Sequence, residues 1–337
     1  MARKAKIITD ISEIQLPDYL EESKIISTKI VEIDTLLNGG LHEAITQLVG
    51  ETQTGKTAIA LQITYNLCNH DKVVVYVDAK GDIDKNRLDK IGLTKYLNTK
   101  FFYIKGYVFT EIEKLLDQFI QTGQVDLIVI DSLPSLINNC YLNIEGKHLS
   151  VDNHNTSATT RPLMLLVQKL KKLSMRYHFS LLLINEFRQK VDKRIGTLPK
   201  IYGPKALEYE SNYIIKVKPI TSGVNKTFKS KLEALENSEI GMCAELVLLK
   251  GGKSNIPVTI PIFIKNGVGI KFAYWVLFHF LDTNCIAQSG AYYSFGNINT
   301  RGLSDFSLRF FRDVSYEQMQ DNTIKYVSEN YPISVKK

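Results

Sequence analysis

Cysteine is scarce in this sequence of 337 residues, which contains only Cys68, Cys140, Cys243 and Cys285. None of the four forms a CxxC pair or lies beside a pair of histidines. The spacing therefore suggests neither a zinc site nor a disulfide framework, and it fits a reducing cytoplasm.

Long apolar runs are also missing. A membrane-spanning helix requires roughly 18 uninterrupted apolar residues. The richest stretch here, residues 272–280, is interrupted by His279. The basic residues at positions 1–6 lead into polar and acidic residues instead of an apolar segment, so no secretory signal is expected. We expect a soluble protein with no membrane partner.

Acidic residues are outnumbered by basic ones, 35 to 42, which gives a net charge of +7 and a pI near 9.0. This excess makes a polyanionic partner plausible but does not identify one, because a basic solvated surface has the same composition. The length and a hydrophobic content of 44% suit one large α/β domain with a smaller lobe.

A phosphate-binding loop is the strongest local signal. An apolar strand is predicted over residues 44–49 and an amphipathic helix over residues 58–67. The GxxxxGKT pattern between them consists of Gly50, Glu51, Thr52, Gln53, Thr54, Gly55, Lys56 and Thr57. In this context the loop amides are expected to face phosphate oxygens. Lys56 is expected to neutralise the β- and γ-phosphates, and Thr57 to hold Mg²⁺.

An acidic residue completes such a site. The apolar run at residues 125–132 predicts a buried parallel strand that carries Asp131 at its carboxyl end, which is where ligands of open α/β sheets lie. Asp126 is at the other end of that strand. Further strands are predicted over residues 73–78, 101–104, 180–185 and 212–217, which together indicate a mostly parallel sheet covered on both faces.

The order of the motifs resembles the RecA family of DNA strand-exchange recombinases. The matching segments are residues 26–34, 39–41, 50–57, 77–79, 125–132, 183–188, 203–207 and 290–295. The resemblance, which covers residues 26–312, implies a RecA-like P-loop NTPase core over residues 26–271. It also implies a short N-terminal arm for oligomerisation at residues 1–25, in which residues 6–9 could add a strand to a neighbour's sheet. Residues 272–337 are then a small C-terminal lobe.

Two long segments resemble the DNA-binding loops of the family, residues 133–160 and 189–208, and both are expected to be irregular. The first contains the segment 144–146. Basic side chains on such loops hold the DNA backbone without reading its sequence. The candidate DNA-binding residues are Arg188, Lys190, Lys193, Arg194, Lys200 and Lys205.

The sequence departs from the family at two positions of the hydrolytic site. The glutamate that positions the attacking water in the family is replaced by Lys80, and a lysine cannot act as that base. The glutamine that senses the γ-phosphate is replaced by Glu186. Either Glu186 serves as base and Lys80 becomes a phosphate or salt-bridge partner, with the two residues on the ends of neighbouring strands, or the site binds ATP and hydrolyses it slowly.

Four further residues are assigned to the nucleotide by the resemblance. Asp84 and Arg87 fall where contacts with the adenine base are expected. Lys250 and Lys253 fall in a segment whose lysines reach the nucleotide of a neighbouring subunit, where they could act in the manner of arginine fingers.

The resemblance implies a homologous recombinase that binds ATP and Mg²⁺, forms a helical homo-oligomeric filament on single-stranded DNA and pairs it with homologous duplex DNA. It would be a DNA-dependent ATPase, slow or with a displaced base. The divergence and short ends suggest a phage-encoded protein acting in the host cytoplasm. Two alternatives stay open: an accessory or mediator protein of the same fold, and a hexameric helicase-like DNA motor.

Overall fold

The computed structural model describes residues 24–106, 108–139, 156–192, 196–220, 241–251, 259–265, 269–270, 274–282 and 284–321. Several sequence-based predictions lie outside these residues. They concern the arm segment 6–9, the loop segment 144–146, and the basic residues Lys193, Arg194 and Lys253.

The strands of the described residues are β1 (Ile25–Ile26), β2 (Leu41–His42), β3 (Ile45–Gly50), β4 (Val74–Asp78), β5 (Phe101–Lys105), β6 (Leu127–Asp131), β7 (Ser180–Asp192), β8 (Gly196–Ile201), β9 (Tyr213–Pro219), β10 (Gly241–Lys250), β11 (Thr259–Lys265), β12 (Ala287–Ser289), β13 (Tyr292–Phe295) and β14 (Ile298–Arg301).

The helices are α1 (Val31–Leu36), α2 (Lys56–Asn69), α3 (Lys85–Ile91), α4 (Phe109–Gln121), α5 (Leu133–Asn139), α6 (Thr156–Tyr177), α7 (Lys205–Glu210), α8 (Tyr274–Asp282) and α9 (Leu303–Asp313). Of the helices in the described part of the chain, none combines the length and apolarity needed to cross a membrane.

A nine-stranded sheet organises the core, in the order β11-β10-β9-β3-β7-β6-β4-β5, with β8 paired to the far end of β7. The strands from β9 to β5 run parallel, whereas β10, β11 and β8 pair antiparallel. The predicted α/β class with a mostly parallel central sheet is confirmed. Because all parallel strands end at the same edge, their carboxyl ends build one cleft.

Helices cover both faces of this sheet. On one face α2 and α3 bury Ile59, Leu61 and Leu88 against the strands. On the other face α4 and α6 bury Ile112 and Leu166. Every residue of β6 is buried, which accounts for its uninterrupted apolar run before the terminal aspartate.

The structure corrects the prediction of two irregular loops. Helices α5 and α6 occupy both ends of segment 133–160, and only residues 140–155 between them lie outside the described residues. In segment 189–208, β7 continues to Asp192 and pairs with β8 as a hairpin, and α7 begins at Lys205. Pairing satisfies backbone groups that an irregular loop would leave to water, and the basic residues of this segment do not prevent it.

The C-terminal lobe has its own aromatic core. Phe280, Phe306 and Phe310 are buried together where α8, the three-stranded sheet β12-β13-β14 and α9 meet. Val31 of α1 and Phe263 of β11 belong to the same apolar cluster. The lobe is therefore packed directly against the core that contains the nine-stranded sheet.

Candidate functional site

A cleft of about 660 Å³ lies at the carboxyl edge of the sheet. The loop between β3 and α2 forms one wall through residues 52–57, and the residues that follow β4 form another. Asp131 at the end of β6 and Glu186 in β7 line the same cleft. Four consecutive strands of the sheet thus contribute to a single cavity.

The loop from Gly50 to Thr57 has the geometry that its glycines require. Gly55 has φ of +92°, a region that favours glycine, and a Cβ there would come within 2.4 Å of Ile264 Cδ1. A Cβ on Gly50 would come within 2.4 Å of the Val217 carbonyl oxygen. The loop therefore curls tightly between the core and the start of α2, and its residues 52–57 line the cleft. The N-terminus of a helix is suited to bind an anion.

Lys56 folds back over its own loop. Its Nζ donates to the carbonyl oxygens of Gly50 at 3.0 Å and Glu51 at 2.6 Å. Burial lowers the pKa of Lys56, whereas the charges of Glu186 and Asp131 raise it. A buried ammonium group surrounded by carboxylates and carbonyls is suited to receive an anion, because an incoming phosphate compensates for the water that burial removed.

Asp131 is held beside Thr57. The Tyr76 hydroxyl donates to Asp131 Oδ2 at 2.8 Å, and the Thr57 side chain forms a second hydrogen bond with the carboxylate. Burial raises the pKa of Asp131, and these hydrogen bonds act in the opposite direction. Asp126 lies at the other end of β6, where it accepts from the Val73 amide and pairs with Lys24 and Lys72.

Lys80 and Glu186 line the same cleft, but the expectation that their strands are neighbours is wrong. Strand β6 lies between β4, which precedes Lys80, and β7, which contains Glu186. Lys80 instead forms an ion pair with Asp82, and this hydrogen bond raises the pKa of Lys80. The negative charge of Glu186 acts on Lys80 in the same direction but more weakly. The charge of Glu186 thus acts on Lys80, but the two side chains do not form an ion pair with each other.

Asp84 and Arg87 lie along one side of the cleft. Asp84 caps α3, where its Oδ1 accepts from the Arg87 amide at 2.7 Å. Met242 and Ile264 also line the cleft, and their side chains lie against the phosphate loop at Gly55. The cleft thus combines apolar and charged side chains, as a heteroaromatic base requires.

Four of the candidate DNA-binding residues lie in described segments, three in the hairpin of β7 and β8 and one at the start of α7. Arg188 and Lys190 lie in β7 immediately after Glu186, and Arg188 is paired in register with the exposed Lys200 of β8. Lys205 is exposed at the start of α7, with its Nζ 5.7 Å from the centre of the Tyr209 ring.

Lys250 lies at the end of β10 and contacts α7 within its own chain. Its Nζ donates to the carbonyl oxygens of Glu208 at 2.8 Å and Tyr209 at 3.0 Å. These carbonyls belong to the last turn of α7, which has no helical partners for them. In this chain Lys250 thus stabilises the helix that follows the hairpin.

Sequence reasoning missed two side chains that shape the site. Asp82, the ion-pair partner of Lys80, carries no motif and is exposed. Tyr76 lies in the middle of an apolar strand prediction, where an aromatic residue is indistinguishable from core. Its hydrogen bond to Asp131 shows that Tyr76 positions this carboxylate, and the pairing of β4 with β6 brings the two side chains together.

Comparison with known proteins gives a consistent result. The family model described as the RecA N-terminal domain matches residues 12–237, which is more than half of the chain. A relative described as Protein RecA from Ureaplasma parvum is 27% identical over 232 residues, 66% of this chain and 66% of the relative. The chain thus spans slightly less than two thirds of that relative's length.

Two further relatives extend the comparison. Protein RecA of Mycoplasma pneumoniae is 24% identical over 315 residues, covering 92% of this chain and 89% of the relative. The DNA repair and recombination protein RadB of Methanosphaera stadtmanae is 26% identical over 215 residues, 62% of this chain and 87% of the relative. With the match to the family model over most of the core and a fold of the expected class, the chain belongs to the RecA family.

Proposed function

We propose that this protein is an ATP-binding recombinase that assembles on single-stranded DNA and promotes homologous pairing and strand exchange. One observation carries the proposal: strand β7 runs from the phosphate cleft, which it lines with Glu186, directly into the hairpin that holds Arg188 and Lys190. A nucleotide site and a basic ribbon on one continuous strand fit a protein whose hold on DNA depends on nucleotide.

The residues present fit ATP with Mg²⁺. Lys56 and the loop amides would hold the phosphates, and Arg87 with the apolar side of the cleft would hold the base. Thr57 and Asp131 would hold Mg²⁺, which usually takes few protein ligands and completes its shell with phosphate oxygens and water. Bound there, the metal would neutralise charge on the phosphate oxygens.

Glu186 is the candidate general base for hydrolysis. It lines the cleft together with Lys56. Among the neighbouring charges that act on the pKa of Lys56, that of Glu186 has the largest effect. Lys80 is paired with Asp82 and has no lone pair to accept a proton while charged. Glu186 therefore orients or deprotonates the attacking water, and Lys80 balances charge at the same edge.

The hairpin is proposed to hold the DNA backbone. Its register places Arg188 opposite Lys200, and Lys190 follows two positions along the same strand. Positions two apart along a strand share one face of a ribbon, as do cross-strand pairs. Cations on such a face contact successive phosphates without selecting bases, so that sequence recognition is left to base pairing.

Oligomerisation is proposed to use the edge of the central sheet. Among the described strands, β5 ends the parallel series and pairs only with β4. An edge strand of this kind presents unpaired backbone groups to which a neighbouring chain can add a strand, and the arm segment 6–9 is the proposed donor. Lys250 and Lys253 are proposed to approach the nucleotide of that neighbour.

An accessory protein with weak hydrolysis is the second candidate, and the Lys80–Asp82 pair favours it because the family's base is missing from that position. A hexameric DNA motor is the third. Electron microscopy of the protein with single-stranded DNA and ATP distinguishes these assemblies. We expect open helical filaments that require both ligands, and closed rings would instead indicate the motor.

The DNA contact itself has a quantitative test. Replacing Lys190, Lys193 and Arg194 together by alanine should weaken binding of single strands with little dependence on base sequence. The slope of log affinity against log salt should flatten by roughly 0.7 for each lost phosphate contact. An unchanged slope would show that the hairpin does not meet the backbone. Replacing Lys95, Lys100 and Lys114, exposed or half-buried on other elements, provides the charge-matched control.

A further inference from the structure

A buried polar junction lies beneath the hairpin, formed by Gln47 of β3, Asn185 of β7 and Ser211 after α7. All three are buried to 1% exposure or less. Their side chains form a directed series of hydrogen bonds: Asn185 Nδ2 donates to Gln47 Oε1 at 3.0 Å, and Gln47 Nε2 donates to Ser211 Oγ at 2.6 Å. Such groups are costly to bury without partners, so each depends on the others.

Asn185 closes the base of the hairpin. Its Nδ2 also donates to the carbonyl oxygen of Tyr202, where the chain returns from β8, at 2.9 Å. Its Oδ1 accepts from the amide of Glu186 at 2.8 Å. Beside it, the Tyr202 amide donates to the Glu186 carbonyl oxygen at 2.8 Å. One amide side chain therefore contacts both strands at the point where the hairpin leaves the sheet.

Gln47 and Ser211 fix α7 in the same way. Gln47 Nε2 lies 3.3 Å from the Leu207 carbonyl oxygen, to which Ser211 Oγ donates at 2.8 Å. This carbonyl and the next ones of α7 lie in its last turn, where helices lack internal partners. Lys250 and Lys171 hold the carbonyls that follow. The position of α7 thus depends on hydrogen bonds from the core.

Gln47 connects these contacts to the nucleotide site. It lies in β3, the strand that ends in Gly50 and the phosphate loop, and does not itself line the cleft. Further along the same strand pair, Val49 is in register with Asn185 and Gly50 with Glu186. A shift of the phosphate loop relative to β7 would therefore change the geometry of the Gln47 hydrogen bonds.

We propose that Gln47 is a positioning residue that couples occupancy of the phosphate site to the placement of the hairpin and α7, and so to DNA affinity. The inference rests on the proposed function. Coupling between two sites is the factor by which one ligand changes the affinity for the other, commonly 5- to 150-fold. Gln47 would control that factor through the two hydrogen bonds that its Nε2 donates and the one that its Oε1 accepts.

The test measures affinity for a single-stranded oligonucleotide with and without ATP, in the wild type and in Gln47→Met, which keeps the side-chain length and removes the polar atoms. We expect the ATP-dependent gain in affinity to fall at least about fivefold. ATP affinity without DNA should stay within about twofold, because Gln47 does not touch the cleft. Ser211→Ala should reduce the coupling less, since the Gln47 amide retains the Leu207 carbonyl as acceptor.

Thr46→Val is the matched control. Thr46 is the adjacent residue in β3, equally buried, and its hydroxyl has no hydrogen-bond partner among the described residues. Its removal should leave the coupling unchanged. If Gln47→Met does not fold, Ser211→Ala and Gln47→Glu, which keeps the acceptor and removes the donors, report on the same junction.

The outcomes distinguish a failure of the proposed function from a failure of the role proposed for Gln47. A wild-type protein whose DNA affinity does not respond to ATP would overturn the proposed function together with the coupling. A wild type that responds, with variants that lose thermal stability but keep the full ATP-dependent gain, would overturn the role of Gln47 alone. Loss of the gain in Gln47→Met, with a smaller reduction in Ser211→Ala and no change in Thr46→Val, would support it.

Discussion

The two halves of the cleft are built differently. On the phosphate side, Lys56 is 7% exposed and Asp131 is 5% exposed. Lys56 is held by a hydrogen bond to the Glu51 carbonyl oxygen, and Asp131 by one from the Tyr76 hydroxyl. On the hydrolytic side, the Lys80 side chain is 55% exposed and is held by an equally exposed Asp82. By its resemblance to the RecA family, the first half is expected to keep the family's residues and the second to have replaced an acid and an amide.

This difference indicates which residues of the cleft the fold allows to change. The phosphate loop depends on backbone geometry, on glycines that admit no Cβ and on a lysine packed into the loop, so that most changes there also damage the core. The hydrolytic edge lies at strand ends, where a side chain can change without repacking. We therefore propose that nucleotide binding and nucleotide hydrolysis are separable in this chain, and the following substitutions test that separation.

The largest effect is expected from Glu186→Gln. The amide preserves shape but cannot accept a proton, and loss of a general base typically costs roughly 10²- to 10⁴-fold. Single-turnover hydrolysis should fall by that factor while ATP affinity stays within a few-fold. If instead the wild type already hydrolyses ATP negligibly and Lys80→Glu raises the rate, the site is an impaired one and Glu186 is not its base.

Lys56→Ala should act on the other half. It removes the ammonium group that faces the phosphates, and hydrogen bonds to charged groups contribute about 1.5–3 kcal/mol, or roughly 10- to 150-fold in affinity. Equilibrium titration with ATP should show this loss, and assembly that depends on nucleotide should disappear. Undiminished ATP affinity would contradict the assignment of the phosphate site. Lys90→Ala, at the rim of the same cleft, serves as the control.

A double-mutant cycle between Lys80→Glu and Glu186→Gln should give a smaller coupling. Strand β6 separates β4 from β7, and Asp82 already pairs with Lys80, so Lys80 and Glu186 interact only through longer-range electrostatics. We expect single-turnover rates that deviate from additivity by about twofold to fivefold, near the lower end of measured coupling energies. Strict additivity would show that the residues act independently and would remove the charge-balance account.

The smallest effect is expected from Asp82→Asn. Exposed ion pairs contribute at most about 1 kcal/mol, so hydrolysis and ATP affinity should each change by no more than about fivefold. The contact raises the pKa of Lys80, and its loss should lower that pKa without discharging the lysine at neutral pH. A loss of hydrolysis comparable with that of Glu186→Gln would assign the proton acceptor to Asp82 instead.

Local sequence was sufficient to predict much of the fold and part of the site. The strand, glycine loop and helix around Lys56 lie within one short segment, and the apolar run before Asp131 predicts its buried strand because both features are local. The α/β class with a mostly parallel sheet followed from these segments.

What sequence did not predict depends on pairing between distant segments. Segment 189–208 contains many basic residues and is predicted from sequence to be irregular, but β8 pairs with β7 as a hairpin. The order of strands separates Lys80 from Glu186, and local periodicity carries no information on that order. The hydrogen bond between Gln47 and Ser211 joins residues 164 positions apart, and no motif marks either of them.

The measurement that tests the central claim most directly is a strand-exchange assay between a single-stranded DNA and a homologous duplex. With wild-type protein, ATP and Mg²⁺, we predict joint molecules that require homology. Glu186→Gln should still form them, because the proposed assembly depends on nucleotide binding and not on hydrolysis, whereas Lys56→Ala should not. Absence of joint molecules with the wild type, under conditions in which it binds both ATP and single-stranded DNA, would contradict the account and favour an accessory protein.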